Sequence, residues 1–169
     1  TCVGFSCLVQ YRVPGAAKDC RPVRRDPNHR SSRSIATLCN TKRGCSMGKV
    51  PSQRYRYKDI YINYLDHGSG TPILLLHGFG ASSYSWRHVT AHFSANYRVL
   101  SIDLKGFGLS DKPADFNYSL KEQGNIVTQF IRDKQLENTT LIGHSLGGAV
   151  ALVVYLTMQD IWRNAIQRL

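Results

Sequence analysis

A chain of 169 residues, 42% of them apolar, is long enough for one ordinary domain, and its 22 Lys/Arg against 11 Asp/Glu give a formal charge of +11. That excess is confined to the first third: residues 1–58 hold thirteen of the basic residues against Asp19 and Asp26, whereas residues 59–169 carry nine of each sign. The basic balance therefore argues for no nucleic-acid surface on the folded part. No apolar run approaches the roughly 20 residues that span a bilayer, so a soluble domain is expected.

Residues 1–56 are rich in Arg, Ser, Pro, Asn and Cys and show no sustained period of 2 or 3.6. Such a leader buries too little apolar surface to offset ordering and is expected to be disordered. All five cysteines, Cys2, Cys7, Cys20, Cys39 and Cys45, fall in it. Their odd number and the absence of a Cys-x-x-Cys pair argue against a disulfide framework and against zinc. The Arg/Ser-rich, acid-poor stretch from residue 21 to 49 fits an organelle transit peptide, which would send the chain to a plastid or mitochondrion. The alternative is translation from Met47, with non-native residues upstream and a cytoplasmic protein. A basic arm for RNA or anionic lipid lacks interleaved aromatics to support it.

Residues 57–169 read as alternating strands and helices. Residues 57–66 alternate, with Ile60, Ile62 and Tyr64 on one face and Asp59, Tyr61 and Asn63 on the other, a half-exposed strand or two short ones. A turn over residues 67–72 leads to residues 73–76, whose continuous apolar run marks a strand buried on both faces. It runs into His77-Gly78-Phe79-Gly80. Ser82 or Ser83 caps a helix carrying Tyr84, Trp86, Val89 and Phe93. Residues 97–104 form the next buried strand, with Asp103 at its end, and a glycine-containing loop covers residues 105–113. A helix follows over residues 120–134, with Leu120, Val127, Phe130 and Ile131 inward. Residues 139–142 are β-prone, and an apolar helical run spans residues 146–158. This pattern predicts an α/β domain built on a mostly parallel sheet with helices on both faces.

Between that last strand and helix lies Gly143-His144-Ser145-Leu146-Gly147. A Gly-x-Ser-x-Gly pentapeptide at a strand-to-helix junction is the nucleophile-elbow pattern, in which glycines free the tight turn of Cβ atoms and the serine hydroxyl stands clear of the sheet. Three motifs in this order resemble the α/β-hydrolase fold superfamily, in its branch of esterases, perhydrolases and C–C hydrolases. They are His77-Gly78-Phe79-Gly80, the Asp103-x-x-Gly106-x-Gly108-x-Ser110-x-x-Pro113 loop and Gly143-His144-Ser145-Leu146-Gly147-Gly148. The resemblance covers residues 55–169 and implies an antiparallel start to the sheet around residues 57–66.

Ser145 is the expected nucleophile, forming an acyl-enzyme with a small acyl substrate (an ester, thioester, amide or β-diketone) and using neither metal nor cofactor. The Leu146 N–H at the helix start is one expected oxyanion donor, and the resemblance puts the second on the Phe79 N–H. His77 and His144 are rejected as the base; the resemblance gives both a packing and loop-supporting role, beside Gly78, Asp103, Gly143 and Gly147. Asp103 and Ser110 are expected to hold their loop rather than touch substrate. Trp86 and Phe107 fit either the pocket or the core. A serine at the apex, not an aspartate, argues against dehalogenase or epoxide-hydrolase chemistry.

Chain order in this fold is serine, acid, histidine. Downstream of Ser145 the only acid is Asp160, and there is no histidine. The sequence therefore reads as the N-terminal part of a hydrolase, inactive by itself, whose elbow strand has an unpaired apolar outer edge. The rival reading is a non-catalytic hydrolase-fold protein used for binding.

Overall fold

The computed structural model describes residues 8–12, 51–114 and 117–166; the five cysteines and most of the leader lie outside them. Six strands form one sheet in the order β1-β6-β4-β5-β3-β2, where β1 is Leu8–Arg12, β2 Gln53–Tyr57, β3 Ile60–His67, β4 Pro72–Leu76, β5 Arg98–Ile102 and β6 Thr140–His144. The centre is parallel, β4 pairing with β5 on one side and β6 on the other. The β2–β3 hairpin joins antiparallel to β5.

Every residue of β4 is buried. Leu74 and Leu76 enter the larger core with Leu100, Ile102 and Leu141, against α2 (Leu120–Asp133) and α3 (Leu146–Ile166). Ile73 and Leu75 point to the opposite face, where Trp86 and Val89 cover them together with Val99. Helices thus lie on both faces, as the continuous apolar run of β4 requires. Ser119 caps α2 by accepting the Glu122 N–H. Phe130 anchors α2 to the hairpin, receiving Tyr55 and Tyr64 edge-on at ring separations of 5.1 and 5.0 Å. The Tyr55 hydroxyl donates to Asp133 at 2.7 Å, and burial, reinforced by this contact, raises its pKa out of its ordinary range.

Five features differ from the sequence reading. The leader supplies β1, which pairs antiparallel with β6 from Leu8 opposite His144 to Arg12 opposite Thr140, so the outer edge of the elbow strand is paired after all. A short strand cannot be recognised from its own residues when a distant edge decides its pairing. The hairpin begins at Gln53, ahead of residue 57, on an edge strand that buries Tyr55 and half-buries Tyr57 against the core. Asn63, assigned to the exposed face, is 3% exposed because the loop after β5 folds across it. Leu120, assigned inward, is 42% exposed on the first turn of α2. The segment after Ser82 is a 3-10 turn, Ser83–Trp86, that runs into the short α1, Arg87–Phe93.

Truncating Phe130 to alanine removes the contact surface shared by two tyrosines and α2. The expected loss is about 3–5 kcal/mol, read as a fall in the urea midpoint with little change in slope. A loss under about 1 kcal/mol would mean that Phe130 does not anchor the hairpin.

Candidate active site

The sheet reverses its winding at β4: the chain leaves it for β5 on one side and returns over it to β6 on the other. At such a switch point the loops beyond the strand C-termini diverge and open a crevice. The loop after β4 begins at His77, and β6 ends at His144 beside it.

Ser145 links β6 to α3 with φ +52° and is exposed. A non-glycine residue in this left-handed region costs on the order of 1–3 kcal/mol, tolerated only where the surroundings hold it. Here they do. A Cβ on Gly143 would collide with the Gly147 carbonyl, and one on Gly147 with the backbone oxygens of Leu76 and His77, so strand, helix start and β4 meet without side chains between them. A Cβ on Gly78 would lie 2.8 Å from His144 Nδ1, which brings the loop after β4 against the elbow. The first helical bonds of α3 run from the Gly148 and Ala149 N–H groups to the Ser145 carbonyl. The Leu146 and Gly147 N–H groups precede them and have no carbonyl within the helix to meet.

His77 is fully buried. Its Nδ1 lies 2.7 Å from the Gly78 carbonyl, and its Nε2 accepts the Leu104 N–H at 3.0 Å. A carbonyl only accepts and an amide N–H only donates, so the ring is neutral with its proton on Nδ1. Burial holds its pKa below the ordinary value, against the opposing pull of the Gly78 carbonyl and the Asp103 charge. Asp103, also buried, accepts from the Ser83 N–H at 2.6 Å, from the Asn63 amide at 2.9 Å and from the Leu109 N–H at 2.9 Å. Ser110 donates to the Asp103 carbonyl at 2.6 Å and accepts the Asn63 N–H at 2.8 Å. Asp103 and Ser110 thus tie together β3, the 3-10 turn and the loop after β5.

A cavity of about 240 Å³ opens between these loops and α3, lined by Phe79, Gly106, Phe107, Tyr118, Gln123 and Leu146. Phe79, 80% exposed, meets Phe107 edge-on at 5.5 Å. Phe79 and Leu146, the two residues singled out as oxyanion donors, therefore face one space. Trp86 lies in the core on the opposite face of the sheet. Tyr118 and Gln123 escaped the sequence reading. Gln123 spends both ends of its amide on the Lys105 backbone, at 3.1 and 2.8 Å, and is a strut for the cavity wall. A polar residue on the inward side of an amphipathic helix was the signal for it. Among the described residues no group of three or more His, Cys, Asp or Glu side chains is placed to hold a metal, and no helix is long and apolar enough to cross a membrane.

The family model for the alpha/beta hydrolase fold matches residues 71–166, more than half of the sequence. The chain belongs to that family. Among relatives of this hydrolase-fold chain, a haloalkane dehalogenase of Agrobacterium fabrum is 40% identical over 93 residues, covering 55% of the chain and 30% of the relative. Est816, described as an N-acyl homoserine lactone degrading enzyme, superposes with a TM-score of 0.59 at 31% identity over 62% of this chain and 40% of its own. The epoxide hydrolase CorEH superposes with a TM-score of 0.62 at 28% identity, over 65% and 38% respectively. The chain thus spans between 30% and 40% of the length of these relatives.

The state of His77 sets a pH dependence. A histidine whose folded pKa lies below its unfolded value, ordinarily 6.5, contributes its full share of stability above pH 6.5 and loses it as the pH falls toward the depressed folded value. Stability of the wild type should therefore decline between pH 7.5 and 5, and the decline should be shallower in His77→Asn. His67, also held down by partial burial, adds a slope of the same sign that the variant keeps. Equal slopes in urea titrations of the two proteins would contradict the assignment of a neutral, buried His77.

Proposed function

We propose that the protein is a serine hydrolase of small acyl substrates, working through an acyl-enzyme on Ser145. The observation that carries this reading is the strained, exposed apex at φ +52°, flanked by the first N–H groups of α3 and by a cavity shared by Phe79 and Leu146. Attack of the Ser145 oxygen on an acyl carbon puts negative charge on the carbonyl oxygen, and the Leu146 and Phe79 N–H groups receive it. Each such donor lowers the barrier by about 3 kcal/mol. The intermediate collapses, expelling the leaving group, which takes up the proton that the base removed from serine. Water then attacks the acyl carbon of the acyl-enzyme, freeing the acid and restoring the Ser145 hydroxyl. The aromatic walls suit an apolar acyl or leaving group.

Similarity to proteins named haloalkane dehalogenase or epoxide hydrolase does not carry those reactions to this chain. Both require displacement at a saturated carbon. A serine oxygen doing so would form an alkyl ether, with no carbonyl for water to attack, and turnover would stop. Acyl transfer has no such dead end, and the lactone named for Est816 is itself an ester.

Serine needs a base to take its proton. Residues 146–169 contain no histidine, so in this reading the base and its acid partner are supplied by chain outside this sequence. A fluorophosphonate, which reports activated serines, should label the full-length protein at Ser145, and Ser145→Ala should abolish the label without lowering the thermal midpoint. Labelling that survives in Ser145→Ala, or that maps to another serine, would contradict the proposal.

A further inference from the structure

We propose that His77 is a positioning residue for the oxyanion site: its Nδ1–H holds the Gly78 carbonyl, and through the shared peptide plane it aims the Phe79 N–H at the reacting oxygen. The inference rests on the acyl-transfer reading of Ser145 and extends it to a side chain that touches no substrate.

The Gly78 carbonyl and the Phe79 N–H belong to one planar trans peptide, so the two groups point in opposite directions. Fixing one fixes the other. Glycine at 78 puts little steric restraint on rotation of that plane, so the restraint has to come from hydrogen bonds. Two are present on the carbonyl: His77 Nδ1 at 2.7 Å and the Ala81 N–H at 3.2 Å. Turning the peptide over would break both. The His77 bond depends in turn on the tautomer, which Leu104 sets by donating its N–H to Nε2. Phe107 packs edge-on against the ring at 5.5 Å, and Asp103, the carboxylate nearest in charge, is already occupied by Ser83, Asn63 and Leu109. The ring is thereby held from the loop after β5, and it transmits that loop's position to the loop after β4.

Two substitutions separate this role from simple packing. Asparagine at 77 places an amide N–H near the position of Nδ1 but cannot reach the Leu104 N–H. Glutamine places an oxygen near Nε2 and gives up the bond to Gly78. Both variants lose one buried hydrogen bond. In the full-length protein, fluorophosphonate labelling of Ser145 should stay within about threefold of wild type in His77→Asn and fall about tenfold to a hundredfold in His77→Gln, part of what loss of an oxyanion donor costs. Equal rates in the two variants, or rates that follow thermal stability alone, would overturn the positioning role. Nitrogen-15 spectra of the imidazole give a second, independent reading: protonation at Nδ1 alone is expected at neutral pH, and protonation at Nε2 would overturn the inference even if Ser145 labels normally. Absence of label in the wild type would instead bring down the acyl-transfer reading, and with it the role assigned to His77.

Discussion

Everything at the candidate site depends on how closely three stretches of backbone approach one another. The end of β4, the end of β6 and the first turn of α3 meet where Gly143 and Gly147 stand, and a single methyl group at either position would drive them apart. That contact does two things at once. It holds Ser145 at a φ that a non-glycine residue adopts only under constraint, and it brings the loop carrying Phe79 beside the N-terminus of α3. Strain at the serine and the meeting of Phe79 and Leu146 at one cavity thus share one cause.

The approach is maintained from behind by buried polar groups. Asp103 accepts from three segments and His77 bridges two loops, each with its hydrogen-bonding capacity matched to fixed partners. Such a network is stable only when fully satisfied, because an unpaired buried carboxylate or imidazole nitrogen costs more than the bond it lost. Lys112 closes the same loop from outside, donating to the Gly108 and Ser110 carbonyls at 2.8 and 3.2 Å. The site is therefore built on cross-linked loops above a sheet whose centre is apolar on both faces.

How much of this was legible in the sequence follows from how local each signal is. The buried run of β4, the period of α2 and the glycine spacing around Ser145 are each contained in a few adjacent residues, and each appears where the pattern placed it. The pairing of Leu8–Arg12 with the edge of β6, from Leu8 opposite His144 to Arg12 opposite Thr140, joins distant parts of the sequence and left no local mark. Asn63 was misjudged because period-2 alternation describes a strand with one open face, and the loop after β5 closes that face. Leu120 differs in the opposite sense, standing exposed on the first turn of α2. The cavity lining was half legible: Phe79 and Leu146 came with the motifs, Tyr118 reaches it only through the path of the loop, and Gln123 reaches it from the first turn of α2.

The most direct measurement is tandem mass spectrometry of the full-length protein, acid-quenched during reaction with a short-chain activated ester in oxygen-18 water. The account predicts a single acyl group on the Ser145 oxygen that disappears with time, while the acid released carries oxygen-18 from the solvent. An acid released with no acyl group ever found on Ser145, or an adduct confined to another side chain, would contradict it.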